Sequence, residues 1–220
     1  MTSLARARSR AAILFVAPAV LLVGWLYHPY IAVPRESDVA EAVASDSTRW
    51  GFAHLLVGVG YGLLAVAFLA LRAHLREAGD ERWSARGGPL VVLGCSLTAI
   101  LTGMEFAALV AAETGGDVVA AQEELLPWFL SVVAASGLTF ALGALGFAAA
   151  VANTRVLGRW ATRLVVGALV VTAAARFVPL GVAFYVTAGA LIAALWPLAF
   201  ALWERPEAAR GDRPHPTPAT

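Results

Sequence analysis

Residues 50–71, WGFAHLLVGVGYGLLAVAFLAL, run for twenty-two positions without an Asp, Glu or Arg. A bilayer's hydrocarbon core is about 30 Å thick and takes roughly 20 predominantly apolar helical residues to cross. The stretch therefore reads as a membrane span, and the pattern repeats on both sides of it. Upstream, Arg6, Arg8 and Arg10 precede an apolar run that starts at Ala11 and ends at Tyr27, His28 and Pro29. Downstream come runs at 89–112 and 128–152, then an apolar block at 164–203 that is too long for one helix and is divided by Arg176, Pro179 and Gly181. The expected fold is all-α, a polytopic bundle of six transmembrane helices at about 11–33, 50–71, 89–112, 128–152, 160–178 and 181–203. Residues 1–203 make one transmembrane domain, and the Pro-rich, charged 204–220 reads as a disordered cytoplasmic tail. The first run is longer than the usual signal-peptide core of about 7–15 residues and has no clear cleavage site after it, so it is taken as a span.

Composition carries the same message. The chain is 60% hydrophobic and 14% charged, with mean hydropathy +0.74, whereas a soluble domain is about half apolar and a quarter charged. Six spans with short loops use up 220 residues, leaving no room for a separate soluble domain. The sixteen basic residues are all Arg, a bias expected of a GC-rich bacterial genome. A net charge of +1 gives no case for nucleic-acid binding. The single cysteine, Cys95, excludes an intrachain disulfide and reads as a small packing residue between Gly94 and Ser96.

Arginine distribution sets the expected orientation, because basic residues in short loops are kept on the cytoplasmic side. Arg6, Arg8 and Arg10 precede the first span; Arg72, Arg76, Arg82 and Arg86 follow the second; Arg155, Arg159 and Arg163 follow the fourth; three more lie in the tail. The alternate segments hold Arg35 and Arg49 with four acids, then no Arg from 113 to 127, then Arg176 alone. Both termini are thus expected in the cytoplasm, in a bacterial cytoplasmic (inner) membrane. Tyr27, Tyr30, Trp50 and Trp128 fall at outer borders and Trp83, Trp160 and Trp203 near inner ones, as headgroup-level aromatics do. Gly58, Gly60 and Gly62, and Gly143 with Gly146, are expected to let helix backbones approach closely.

Ionisable groups inside a span cost roughly 2.5–3.5 kcal/mol each at the centre, so each needs a reason. Glu105 and Arg176 lie inside spans, and His28 and His54 near span ends. At about 1.5 Å of rise per residue, all four come out roughly 24 Å above the inner edge, one layer in the outer third of the membrane. Thr98, Thr102 and Glu105 share a helix face, as do His54, Gly58 and Tyr61, and both stripes are expected to face the bundle. Glu123 and Glu124 would stand at the mouth of the cavity so lined.

Several readings of the layer are open. In the blandest, Glu105 and Arg176 pair to offset each other's burial while the histidines bond to carbonyls or headgroups. In the second, Glu105, Arg176, His54 and His28 bind or pass a small polar solute or ion, with Glu105 titrating. In the third, His28 and His54, with Glu105, hold a metal or haem in a redox protein. No HExxH or other ligand-spaced motif is present, no catalytic residue stands out, and the sequence requires no cofactor. An accessory subunit, a homo-oligomer or a chain with a partner membrane subunit fits the short loops equally well.

His28-Pro29 closing the first span, Trp50-x-x-x-His54, the Gly62–Leu64 run and VLGRW at 156–160 together resemble a broad group of uncharacterised bacterial, actinobacterial-type six-span membrane proteins that share a domain of unknown function. The resemblance covers about 12–203 and implies fold and topology only.

Overall fold

The computed structural model describes residues 3–204. All but Glu204 of the expected disordered tail lies outside the described residues. The described chain is helical, with no strand: α1 (Ser3–Tyr27), α2 (Glu36–Ser45), α3 (Ser47–Glu77), α4 (Trp83–Met104), α5 (Phe106–Glu113), α6 (Val118–Thr154), α7 (Arg159–Ala175) and α8 (Val182–Trp203). Five helical stretches are long and apolar enough to cross a membrane: 4–27, 47–77, 83–113, 118–154 and 182–203. The remaining long helix, α7, has seventeen residues, or about 26 Å of rise.

The long helices form a closed ring in which each packs on the next, α1 on α3, α3 on α4, α4 on α6, α6 on α7, α7 on α8, and α8 back on α1. Arg8 lies over the Trp203 ring at 5.9 Å, so the first and last helices present the chain's two ends on the same side of the ring. Arg10 and Glu77 close an ion pair of 2.8 Å at that side, tying α1 to α3. This is the Arg-rich end. Here Asp80 accepts hydrogen bonds from the Trp83 and Ser84 N–H groups and caps α4. Burial works against its charge, but hydrogen bonding from the Ser84 side chain and from the Ser84, Trp83 and Arg82 backbone outweighs it and holds the carboxyl below the usual carboxylate range.

Small residues let the helices close in at Gly60, Gly143 and Gly146, as expected. Gly58 faces the Thr102 side chain, whereas Gly62, also expected at a close approach, points away from the bundle with nothing within 4 Å of a Cβ there. Gly60 lies against the Leu21 backbone and Gly24 against that of Val57, joining α1 and α3. Between α4 and α6 the contact is backbone to backbone through Gly87, Gly94, Gly143 and Gly146. Inside the ring an aromatic ladder of Tyr61, Phe140, Phe68 and Phe147 fills the core. Cys95 is fully buried in the same core.

At the end away from the arginine-rich segments, the chain departs from the sequence reading. Residues 34–49, expected as a polar connection, contain α2, whose Val39 and Val43 are four apart and buried against Trp50 and Ala108. The 118–127 segment, expected as loop, is the first part of α6, started by Asp117, whose carboxylate accepts from the Ala120 N–H. With 37 residues, α6 rises about 55 Å and outruns a 30 Å core. The first helix stops at Tyr27, and the 28–35 chain crosses over to the α7–α8 turn, where the Gly181 N–H donates to the Ala32 carbonyl at 2.9 Å. A Cβ on Gly181 would overlap the Ile31 carbonyl oxygen, so only glycine lets the two segments meet.

Candidate polar site

The stripes on α3 and α4 face each other. His54, Tyr61, Thr98 and Thr102 are all buried, and a Cβ on Gly58 would come within 2.8 Å of the Thr102 hydroxyl. Together they make a polar column inside an otherwise apolar ring, with two clusters along it.

The first cluster lies under α2. The His28 and His54 rings meet edge to face with centroids 4.8 Å apart, and Trp50 packs on both, at 5.1 and 4.4 Å. The His28 Nδ1 lies 2.6 Å from the Pro29 carbonyl oxygen and the His54 Nδ1 2.9 Å from that of Trp50. A carbonyl only accepts, so each Nδ1 carries the proton and Nε2 is the free ring position. Metal-binding imidazoles are oriented in this way. Among the described residues, however, no three His, Cys, Asp or Glu side chains converge. Arg49 is the charge nearest this cluster; its Nε–H donates to the Tyr27 carbonyl at 2.7 Å, capping the end of α1.

Glu105 joins the cluster by its backbone. It sits at the break between α4 and α5, and the Trp50 indole N–H donates to its carbonyl at 3.3 Å. Its carboxylate turns the other way and accepts from the Gln122 amide of α6 at 3.2 Å. Gln122 fell in the expected loop and so carried no signal in the sequence. Glu123 and Glu124 are exposed on α6.

Arg176 forms the second cluster. Its Nη1 donates to the Tyr61 hydroxyl at 3.0 Å, and its Nη2 to Thr98 at 2.9 Å and Ser136 at 3.3 Å. The guanidinium carbon lies 5.6 Å from the Tyr61 ring centre and 5.4 Å from that of Phe140. Thr98 is seven residues before Glu105 and Tyr61 seven after His54, on helices of opposite direction. Both offsets put this cluster about 10 Å deeper in the ring than the first.

The expected Glu105–Arg176 ion pair is therefore not made. Among the described residues the ion pair is Arg10–Glu77, and the four ionisable groups divide into two levels. The reason is reach: the arginine side chain turns inward from the end of α7 to hydroxyls at mid-helix, while the α4–α5 break aims Glu105 at α6. Ala replacements of Glu105 and Arg176, singly and together, are expected to be additive within about 0.5 kcal/mol in unfolding free energy. A coupling above about 1 kcal/mol in denaturation of the detergent-solubilised variants would mean the pair exists after all. Ser136 and Phe140, which complete the arginine's surroundings, were not singled out in the sequence, because nothing local shows which face of α6 looks inward.

No family model, characterised protein or solved structure matches this chain.

Proposed function

We propose that this is an integral membrane protein of six spans that binds, and passes inward from the outer side, a small solute along the polar column. Its bundle lies in a bacterial cytoplasmic membrane with both termini inside. α7 is the sixth span: it is short, but it closes the ring, and the Phe177–Leu180 turn extends its apolar length. The orientation rests on the positive-inside rule, since the arginine-rich ends of α1, α3, α4, α6 and α7 fall at one end of the ring, leaving Arg35, Arg49 and Arg176 at the other. α2 and an open groove of about 550 Å³ between it and the 29–33 chain then face outward.

One observation carries the reading: the polar stripes of α3 and α4 are turned toward each other and buried along mid-helix, from His54 through Gly58 and Thr102 to Tyr61 and Thr98. Hydroxyl and small residues at such a seam also serve helix packing, but ionisable groups at membrane depth, here His54 and Arg176, are retained mainly where they pair with one another or serve a path or a site. Gly58 is the narrow point between the clusters.

A leucine at Gly58 should block the column. In nanodiscs, wild-type protein is expected to bind at least one of four labelled probes, sodium, glycerol, chloride or acetate, saturably and at one per chain. Gly58→Leu should weaken that binding at least tenfold while keeping the helical circular-dichroism signal. If no probe binds, or if the variant binds as the wild type does, the column is structural and the proposal fails.

A further inference from the structure

We infer that the solute is a small anion and that Arg176 is the charge that binds it; this rests on the column being a solute site. The argument is one of unbalanced charge and unspent donors. A guanidinium inside a membrane bundle is ordinarily paired with a carboxylate. Among the described residues none is within ion-pair distance, and Glu105, the acid of the column, is committed to Gln122 a layer away.

The groups that do surround Arg176 are neutral and are oriented to accept. The Thr98 hydroxyl donates its proton to the Gly94 carbonyl of its own helix at 2.8 Å, and the Ser136 hydroxyl to that of Val133 at 3.0 Å. Each is left with lone pairs directed at the guanidinium. Tyr61 and Phe140 add the faces of two rings. This cradle holds a cation in place from three helices without neutralising it.

Donors are also left over. The three bonds from Arg176 use three of the five guanidinium protons. Its Nε–H is buried with no acceptor among the described residues, and so is the indole N–H of Trp25 near the outer end of α1. Along the route from outside, Arg35, Asp38 and Glu41 line the outer groove, His28 and His54 follow with Nδ1 protonated and Arg49 beside them, and Glu105 is the acid of the column. A compact anion, a halide or a carboxylate, supplies both the missing charge and the missing acceptor.

The test uses full-length protein in nanodiscs of phosphatidylcholine, whose neutral headgroups do not compete. Labelled chloride and acetate are the anionic probes, sodium and glycerol the controls. Arg176→Gln keeps hydrogen-bonding capacity and removes the charge; Arg176→Lys keeps the charge and loses the fork. Wild type is expected to bind chloride or acetate at one per chain and neither control. Arg176→Gln should lose at least tenfold in affinity and Arg176→Lys should lie between; whichever of chloride and acetate binds more tightly identifies a halide or a carboxylate site. Because Arg176→Gln removes an uncompensated charge, its melting temperature should equal or exceed that of wild type; if it does not fold, the Lys variant decides, with unchanged anion affinity counting against the assignment. Anion binding unaffected by Arg176→Gln would overturn the inference. Sodium or glycerol binding in a manner sensitive to Gly58→Leu, without anion binding, would overturn it and leave the solute column standing. Absence of binding by every probe would remove both.

Discussion

Gly143→Leu is expected to leave little folded protein, or to cost about 3 kcal/mol or more where folding can be measured. A Cβ on Gly143 would lie 2.5 Å from the backbone nitrogen of Val91 and 2.7 Å from its Cβ. The same seam has Gly94 facing the Phe140 backbone at 2.6 Å, and Gly87 facing the Gly143 carbonyl at 2.8 Å. These neighbours are main chain and cannot swing aside as the tip of a side chain can. Relief requires α4 and α6 to separate, and in lipid no hydrophobic gain between helices makes up for the contacts then lost. Gly62→Leu is the control, since a Cβ there meets nothing within 4 Å, and it should stay within about 0.5 kcal/mol of wild type. Unfolding of both variants by sodium dodecyl sulfate titration from mild detergent decides the matter. Equal stability of the two would show that close α4–α6 approach is not what holds the bundle.

Trp50→Ala should come next, at about 3–5 kcal/mol. The side chain is only 2% exposed and sits where four parts of the molecule meet. Its ring packs on His28 and His54, it belongs to the small core that holds α2 through Val39 and Val43, and its N–H takes the carbonyl freed by the α4–α5 break. Removing the ring would empty a space that these neighbours fill from three directions, and the cost of the cavity adds to that of the lost apolar burial. Trp50→Phe should keep most of the packing and lose the hydrogen bond, for about 1 kcal/mol beyond the difference in ring size. Amide hydrogen exchange offers a local readout: Trp50→Ala should raise exchange across α2 well before it does so in α8. Uniform exchange changes along the chain would mean that Trp50 does not hold the α2 cover.

Most of the helical layout could be read along the chain, and so could the inward faces of α3 and α4. His54, Gly58 and Tyr61, and Thr98, Thr102 and Glu105, repeat with helical spacing, and that spacing alone was enough to place both stripes toward the ring. Two segments escaped. α2 has only Val39, Ala42 and Val43 to mark it as amphipathic, on a short acidic stretch that also reads as a loop. The first part of α6 is polar enough to read as a connection, because a helix that projects beyond a bilayer no longer needs apolar residues all round.

What the sequence determined by itself is what adds up locally: apolar runs of sufficient length, arginines on alternate connections, and small or polar residues three and four apart. These follow from transfer of each residue between water and lipid, which needs no knowledge of its neighbours in space. The partner of each buried polar group was decided only by the tertiary structure. Equal depth along separate helices made Glu105 and Arg176 look like a pair, yet the break between α4 and α5, the order of helices around the ring and the length of an arginine side chain sent one to Gln122 and the other to Tyr61, Thr98 and Ser136. Depth is a property of one helix, whereas contact belongs to several at once, and so the uncompensated charge at the centre of this protein became visible only when the ring was closed.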